Sequence, residues 1–385
     1  MKIIIAPQSF KGSLKAHEAA EAMGEGVKAY DSDIETILLP IADGGAGTVR
    51  ALVQATHGKL INADAHNPMG NIISAAWGMS GDGDTAFIEV AAASGLALVP
   101  GDKLDPMRAS TYGTGELILA ALESGCKKII IGLGDSATVD GGAGIAQALG
   151  IKLLDANFQS IPPGGAGLAL LKHIDMSGRH PLVKECQIMC ACDVTNPLYG
   201  PEGAAYVYGP QKGATPDMVK KLDGALRNFA GVIKKDLGLD IANLPGAGAA
   251  GGLGAGLVAF LGASLQRGVD LICDSIGFNN YLTGADLVLT GEGRIDYQTA
   301  FGKTVAGIAA RAKTAGVPVI AICGEIGQGY SEVYKHGVDT IMSILPRCMS
   351  RDEAMQEAGA LLKDATERAV RLFYISRSQS KHKLK

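Results

Sequence analysis

Aromatic residues are scarce in this chain of 385 residues, at 5%, and neither sign of charge dominates. Lys and Arg number 35 against 39 Asp and Glu, a formal net charge of −4. The one basic cluster is the extreme end, Arg377, Lys381, Lys383 and Lys385, which reads as a solvated terminus. A nucleic-acid partner is therefore not expected. No apolar run reaches the roughly 18 residues of a membrane-spanning helix. The opening Met1-Lys-Ile-Ile-Ile-Ala-Pro7 is too short for the apolar region of a signal peptide. No membrane partner is expected, and the expected location is cytoplasmic.

Cysteine is sparse and odd in number. Cys126, Cys186, Cys190, Cys192, Cys273, Cys323 and Cys348 sit mostly inside apolar runs, and read as reduced, buried thiols. The close spacing of Cys186, Cys190 and Cys192 has no second pair and no neighbouring His, so a zinc site is not expected. There is no G-X-Y period and no repeat of solenoid length, which excludes collagen and repeat arrays.

What is present is apolar mass and glycine. Hydrophobic residues make up 47% and charged residues 19%, enough to build a core, and the length fits two domains or one domain with a large insertion. Glycine contributes 53 residues, about twice the ordinary share. The glycines cluster between apolar runs, where turns and close backbone approach to a ligand need a residue without Cβ.

The chain opens with a β-rich run, Lys2 to Ala6, a turn, and a helical pattern carrying Leu14, Ala20, Met23 and Val27 on one side. A second strand, Thr36 to Leu39, precedes a helix from Val49 to Thr56. The same alternation returns with strands Asp286 to Thr290, Val317 to Ile322 and Thr340 to Leu345, a helix from Gly302 to Ala315, and a last helix carrying Met355, Ala358, Leu361, Ala365 and Ala369. This is the signature of an α/β fold: a doubly wound, five-stranded parallel sheet. Between residues 66 and 284 the texture shifts to short strands such as Ile72 to Trp77 and Thr85 to Val90. One marked helix there starts at Thr215-Pro216-Asp217, a cap followed by proline at the first helical position. The expected organisation is 1–65 with 285–385 as one domain and 66–284 as a second α/β domain inserted into it.

Ligands of open parallel sheets bind beyond the carboxyl ends of the strands. The segments there are Gln8-Ser-Phe-Lys-Gly-Ser13, Asp43-Gly-Gly-Ala-Gly-Thr48, Thr290-Gly-Glu-Gly-Arg-Ile-Asp296 and Gly324-Glu325. Standard nucleotide patterns fit poorly. Gly302-Lys303-Thr304 ends like a P-loop, but Tyr297 stands where its first glycine belongs. Gly246-x-Gly248-x-x-Gly251 matches the dinucleotide spacing without a preceding strand, while Gly132-x-Gly134-x-x-Ala137 follows a strand with Asp155 downstream. The charged groups suit phosphoryl transfer, which needs cations on phosphate and carboxylates for Mg²⁺ and for the acceptor's proton. Lys11, Arg294 and Lys212 supply the first, and Asp43, Asp193, Glu292 and Asp296 the second.

At these residues the sequence resembles the bacterial type-1 glycerate kinases. The resemblance runs through Ala6-Pro-Gln-Ser-Phe-Lys-Gly-Ser13, Ala42-Asp-Gly-Gly-Ala-Gly-Thr48, Phe87-Ile-Glu-Val-Ala-Ala-Ala-Ser-Gly-Leu96 and Gly113-Thr-Gly-Glu-Leu-Ile118. It continues in Ser136-Ala-Thr-Val-Asp-Gly-Gly142, Cys192-Asp-Val-Thr-Asn-Pro-Leu198, Gly209-Pro-Gln-Lys-Gly-Ala214, Pro245-Gly-Ala-Gly-Ala-Ala-Gly-Gly252 and Thr290-Gly-Glu-Gly-Arg-Ile-Asp-Tyr-Gln-Thr299. It implies a flavodoxin-like domain interrupted by a second α/β domain, with the active site in the cleft between them. It also implies ATP- and Mg²⁺-dependent phosphorylation of glycerate, usually D-glycerate at the 2-hydroxyl. On this reading Lys11 is catalytic and, with Ser9, Arg294 and Asp43, binds substrate. Asp193 and Asp296 are candidates for proton acceptor, and Asp193 and Glu292 for metal. Gly246, Gly248, Gly251, Gly291, Gly293 and Lys212 are placed at the nucleotide. The assembly state is left open, a homo-oligomer included.

Three positions depart from the family's usual pattern. Gln8 and Ala46 stand where Asp and Glu are expected, and Asp135 where glycine is expected. Neutral Gln is a poor base. A competing reading follows, a non-catalytic relative that binds a hydroxy acid or nucleotide, and the Gly132-x-Gly134-x-x-Ala137 spacing keeps a nicotinamide-dependent dehydrogenase as another.

Overall fold

The computed structural model describes residues 1–41, 45, 47–300 and 304–382, with side chains described as far as 375. Asp43, Ala46 and Lys303 lie outside the described residues, as do the side chains of the basic end.

Among the described residues the strands in chain order are β1 Lys2–Pro7, β2 Glu35–Leu38, β3 Lys59–His66, β4 Ile72–Met79, β5 Thr85–Glu89, β6 Lys128–Gly132, β7 Lys152–Leu154, β8 His173–Asp175, β9 Gln187–Ala191, β10 Ser264–Gln266, β11 Leu287–Ile295, β12 Val319–Ile326 and β13 Thr340–Ser343. The chain divides into two compact units, Met1–Asp43 with Val269–Lys385, and Gly44–Gly268. These limits differ from the expected crossings at 65/66 and 284/285. Helix Thr48–Ala55 packs on β4 and β5 of the second unit, and helix Phe278–Leu282 packs on helix Thr304–Thr314 of the first. A change in strand texture does not show which sheet a flanking helix covers.

Unit 1 is a five-stranded sheet in the order β13-β12-β11-β1-β2, every pairing parallel. Ile3, Ile4, Ile5 and Leu287, Val288, Leu289 are fully buried, the unbroken apolar run that a sheet covered on both faces requires. Helices Ala16–Tyr30 and Ala358–His382 share one core with Ile3, Ile5, Leu287, Leu289, Ile320 and Ile322; each such side chain contributes about 1.5–3 kcal/mol by leaving water. Leu14, expected on the first helix, lies before it: Phe10 and Leu14 exchange backbone hydrogen bonds at 2.8 and 3.0 Å. That closes the turn after β1, so the helix begins only at Ala16.

Unit 2 has a six-stranded mixed sheet in the order β10-β9-β6-β5-β4-β3 and a separate β7-β8 ribbon. Helix Pro216–Leu237 begins as its sequence predicts, with Thr215 Oγ1 accepting the Met218 N–H at 3.3 Å, and buries Val219, Leu222, Leu226, Phe229 and Ile233.

Candidate functional site

In unit 1 the expected loop Gly291–Arg294 is strand. β11 continues to Ile295 beside β12, with Gly291 opposite Ile322, Glu292 opposite Cys323 and Arg294 opposite Glu325. β1 ends at Pro7 opposite Gly291, so β11 and β12 overhang it. Glycine makes this possible. A Cβ at Gly291 would run into the Ile322 carbonyl, and one at Gly324 would crowd the Gly293 carbonyl. On a strand, residues two apart share a face, so Glu292 and Arg294 project together.

They project into a cavity of about 600 Å³ whose lining includes Phe10, Lys11, Ser13, Glu292, Arg294, Asp296 and Glu325. Ser350, which caps helix Arg351–Gln356, and the helix residues Arg351 and Met355 complete the wall. Arg294 is oriented from two sides: its Nε lies 3.2 Å from Asp296 Oδ2 and its Nη1 3.5 Å from Glu325 Oε1. The guanidinium is about half exposed, at 53%, so these pairs hold it in place without removing it from solvent. Asp296 also accepts the Gln298 N–H at 2.8 Å, capping the short helix Tyr297–Ala300. Glu292 is buried and accepts the Thr299 hydroxyl at 2.7 Å, which draws it toward the protein and away from open solvent. Lys11 is exposed on the turn closed by Phe10 and Leu14. The Gln8 N–H donates to the Gly291 carbonyl at 2.8 Å, so Gln8 sits at the root of the same overhang. Lys11, Arg294, Glu292, Asp296 and Gly293 thus come together, while Gly291 is buried in β11 opposite Ile322 and is not among the lining residues. Ser9 lies one residue before Phe10, though it is not among the lining residues.

The remaining expected residues lie in unit 2. Asp193 is exposed just beyond the carboxyl end of β9, and its Oδ1 accepts the Gly268 N–H at 2.8 Å. Lys212 is buried. Its Nζ donates to Ser136 Oγ and to the Thr138 carbonyl, both at 2.7 Å, and burial pushes its pKa down to about 7. It braces the loop after β6 from within and does not present an ammonium to solvent. Asp140, at the far end of that loop and fully buried, accepts Thr111 N and Thr111 Oγ1 at 2.8 Å, and Gly142 N and Gly144 N at 3.1 and 3.2 Å. Burial raises its pKa against these four hydrogen bonds.

The 246–251 glycines serve the same interior. A Cβ at Gly246 would crowd Cys192 Sγ, one at Gly248 the Pro197 carbonyl, and one at Gly251 the Thr138 carbonyl. Gly251 also has φ +77°. Close chain packing accounts for all three glycines, which their spacing alone does not distinguish from a ligand cradle. Asp135 has φ 59°, a left-handed conformation that Asp tolerates better than most residues and glycine tolerates without cost.

Glu89, at the end of β5, was not singled out by the sequence. It accepts the Val49 N–H at 2.8 Å at the start of helix Thr48–Ala55, and its carboxyl is raised chiefly by burial, with the Asp135 charge adding to the shift. Glu325 was legible only as a charge near a strand end; its role as the cross-strand partner of Arg294 needed the register. Among the described residues no group of three or more His, Cys, Asp and Glu side chains could hold a metal by themselves. No helix among them is long and apolar enough to cross a membrane.

Comparison with known proteins identifies the family. The model describing the glycerate kinase family matches residues 3–374. The chain is 50% identical over 363 residues to a glycerate kinase from Halalkalibacterium halodurans, covering 94% of this chain and 96% of the relative. It is 50% identical over 358 residues to the glycerate 2-kinase of Escherichia coli K12, covering 93% and 94%. A crystallographically solved protein from Salmonella typhimurium LT2, assigned as glycerate kinase 2, superposes with a TM-score of 0.88 at 46% identity, over 98% of this chain and 99% of that one.

Proposed function

The chain belongs to the glycerate kinase family, and from that premise we propose how its residues serve the ATP-dependent phosphorylation of glycerate. The observation that carries the reading is the unit 1 cavity, where Lys11 and an oriented Arg294 meet Glu292, Asp296 and Glu325 at the carboxyl ends of parallel strands. Arg294 takes the substrate carboxylate or the transferred phosphate in the planar, forked geometry that guanidinium offers oxyanions. Lys11 adds a second positive charge on a turn whose backbone is already fixed. Asp296, beside Arg294 in the same cavity, accepts the proton of the attacked hydroxyl. Ser9, and Asp43 outside the described residues, remain proposals for hydroxyl contacts. The 2-hydroxyl of D-glycerate is the acceptor we propose.

Mg²⁺ accompanying ATP would neutralise charge on the transferring phosphoryl oxygens. Such an ion takes one or two carboxylates and completes its shell with phosphates and water. Asp193, an exposed hard oxygen donor, fits that demand better than the buried Glu292. The cysteines are free thiols, in keeping with the cytoplasmic location we propose.

Two substitutions test the assignment. Asp296→Asn should lower kcat at least about a hundredfold if the carboxylate takes the proton, and a near-normal rate removes it from that role. Arg294→Gln should raise KM for glycerate, and an unchanged KM with unchanged kcat would exclude it from substrate binding.

A further inference from the structure

The unit 1 cavity is lined by a third cation that no motif announced. Arg351 stands on its wall as the first residue of helix Arg351–Gln356, far along the chain from the glycine-rich segments. Its place follows from how the turn after β1 is gripped. A Cβ at Gly293 of β11 would lie 3.1 Å from the Lys11 backbone nitrogen, and one at Gly12 would lie 2.7 Å from Met355 Cε. The Lys11 turn is therefore held between the β11 overhang and the short helix. Residues four apart share a helix face, so Arg351 stands one turn from Met355 on the side that meets this turn.

The three cations differ in how their charge is met. Arg294 is flanked by Asp296 and Glu325, and an added carboxylate there would meet two groups of its own sign. Lys11 and Arg351 are exposed on the lining and have no side-chain partner among the described residues. The local sequence explains why Arg351 is left free. Glu353 is taken by Arg347 at 2.6 Å, and its N–H donates to Ser350 Oγ at 3.2 Å. The position four residues on, where an acidic partner would reach the guanidinium, is Met355. One wall thus carries two cations without counter-ions, while the other carries a cation that its own acids already offset.

A hydroxy acid is divided in the same way, with a carboxylate at one end and the reacting hydroxyl at the other. We propose that Arg351 is a specificity-determining residue: with Lys11 it holds the carboxylate of the acceptor, while Arg294 and Asp296 face the hydroxyl end. The assignment rests on the kinase reading and names the group that makes the acceptor an acid. A guanidinium takes a carboxylate through two parallel hydrogen bonds, so Arg351 sets the orientation of the acid as well as offsetting its charge.

Steady-state kinetics and calorimetric titration of D-glycerate, on the full chain and its Arg351→Gln and Arg351→Lys variants, test this. Arg351 is exposed, so both variants should fold, which thermal melting checks. Arg351→Gln is expected to raise KM for D-glycerate and to weaken its binding by about tenfold or more, with KM for ATP unchanged. Arg351→Lys should recover part of the loss, which a merely structural role would not require. An affinity and KM for D-glycerate in Arg351→Gln within about twofold of the wild type, or a KM for ATP that rises as much as that for glycerate, overturns the proposal. Glycerate-dependent turnover with KM indifferent to Arg351 sinks the Arg351 assignment alone. Glycerate binding that weakens in Arg351→Gln, in a wild type that releases no ADP with glycerate, sinks the kinase reading alone.

Discussion

Asp135 and Lys212 show how a single residue records its surroundings. Asp135 holds φ 59° where the resemblance expects glycine, so Asp135→Gly should raise stability by about 1 kcal/mol. Denaturant midpoints measure this, and a loss of stability would mean that the carboxylate offsets its own strain. The buried Lys212 has its pKa depressed to about 7, with Asp140 as the opposing charge. Between about pH 7 and the ordinary lysine value near 10.4 the unfolded chain binds more protons than the folded one, so this residue makes stability rise with pH across that window. Lys212→Met should flatten that rise in unfolding free energy, and identical pH slopes in the two proteins would contradict the assignment. The sequence marked Lys212 as a charge beside glycines; that it points inward depends on Ser136 and Thr138, which are more than seventy residues away in the chain. Gln8 stands at the root of the β11 overhang, so Gln8→Asp probes whether an acid there adds to kcat.

At the scale of elements, the five strands of unit 1 were legible because their apolar runs are continuous and their breakers plain. The extension of β11 through Gly-Glu-Gly-Arg was not, since glycine and charge ordinarily end strands. Here they let two backbones approach and align Arg294 with Glu325, a pairing that only register supplies. The glycines differ in the same way. Gly251→Ala would press a methyl against the Thr138 carbonyl at a left-handed φ, and should cost about 3 kcal/mol or more. Gly224, in the interior of helix Pro216–Leu237 with nothing near its would-be Cβ, should instead gain about 0.5–1 kcal/mol as Ala. Equilibrium unfolding of the two variants gives opposite signs if packing distinguishes them, and equal signs would refute the distinction.

For the whole molecule, the α/β class and the interrupted first domain could be read from the alternation of elements, while the limits near 43 and 268 depended on which sheet each flanking helix covers. The same holds for chemistry. Charges beside glycines located the unit 1 cavity, whereas the partner that orients Arg294, Glu325 on the neighbouring strand, came only with the register of β11 and β12. Despite Gln8 and Ala46, this chain is expected to phosphorylate glycerate with ATP. A coupled assay of ADP release with D-glycerate, ATP and Mg²⁺ tests it most directly. ADP release that depends on glycerate and is sharply reduced in Arg294→Gln is the expected result. ADP release absent in the wild type, or indifferent to glycerate, would contradict it.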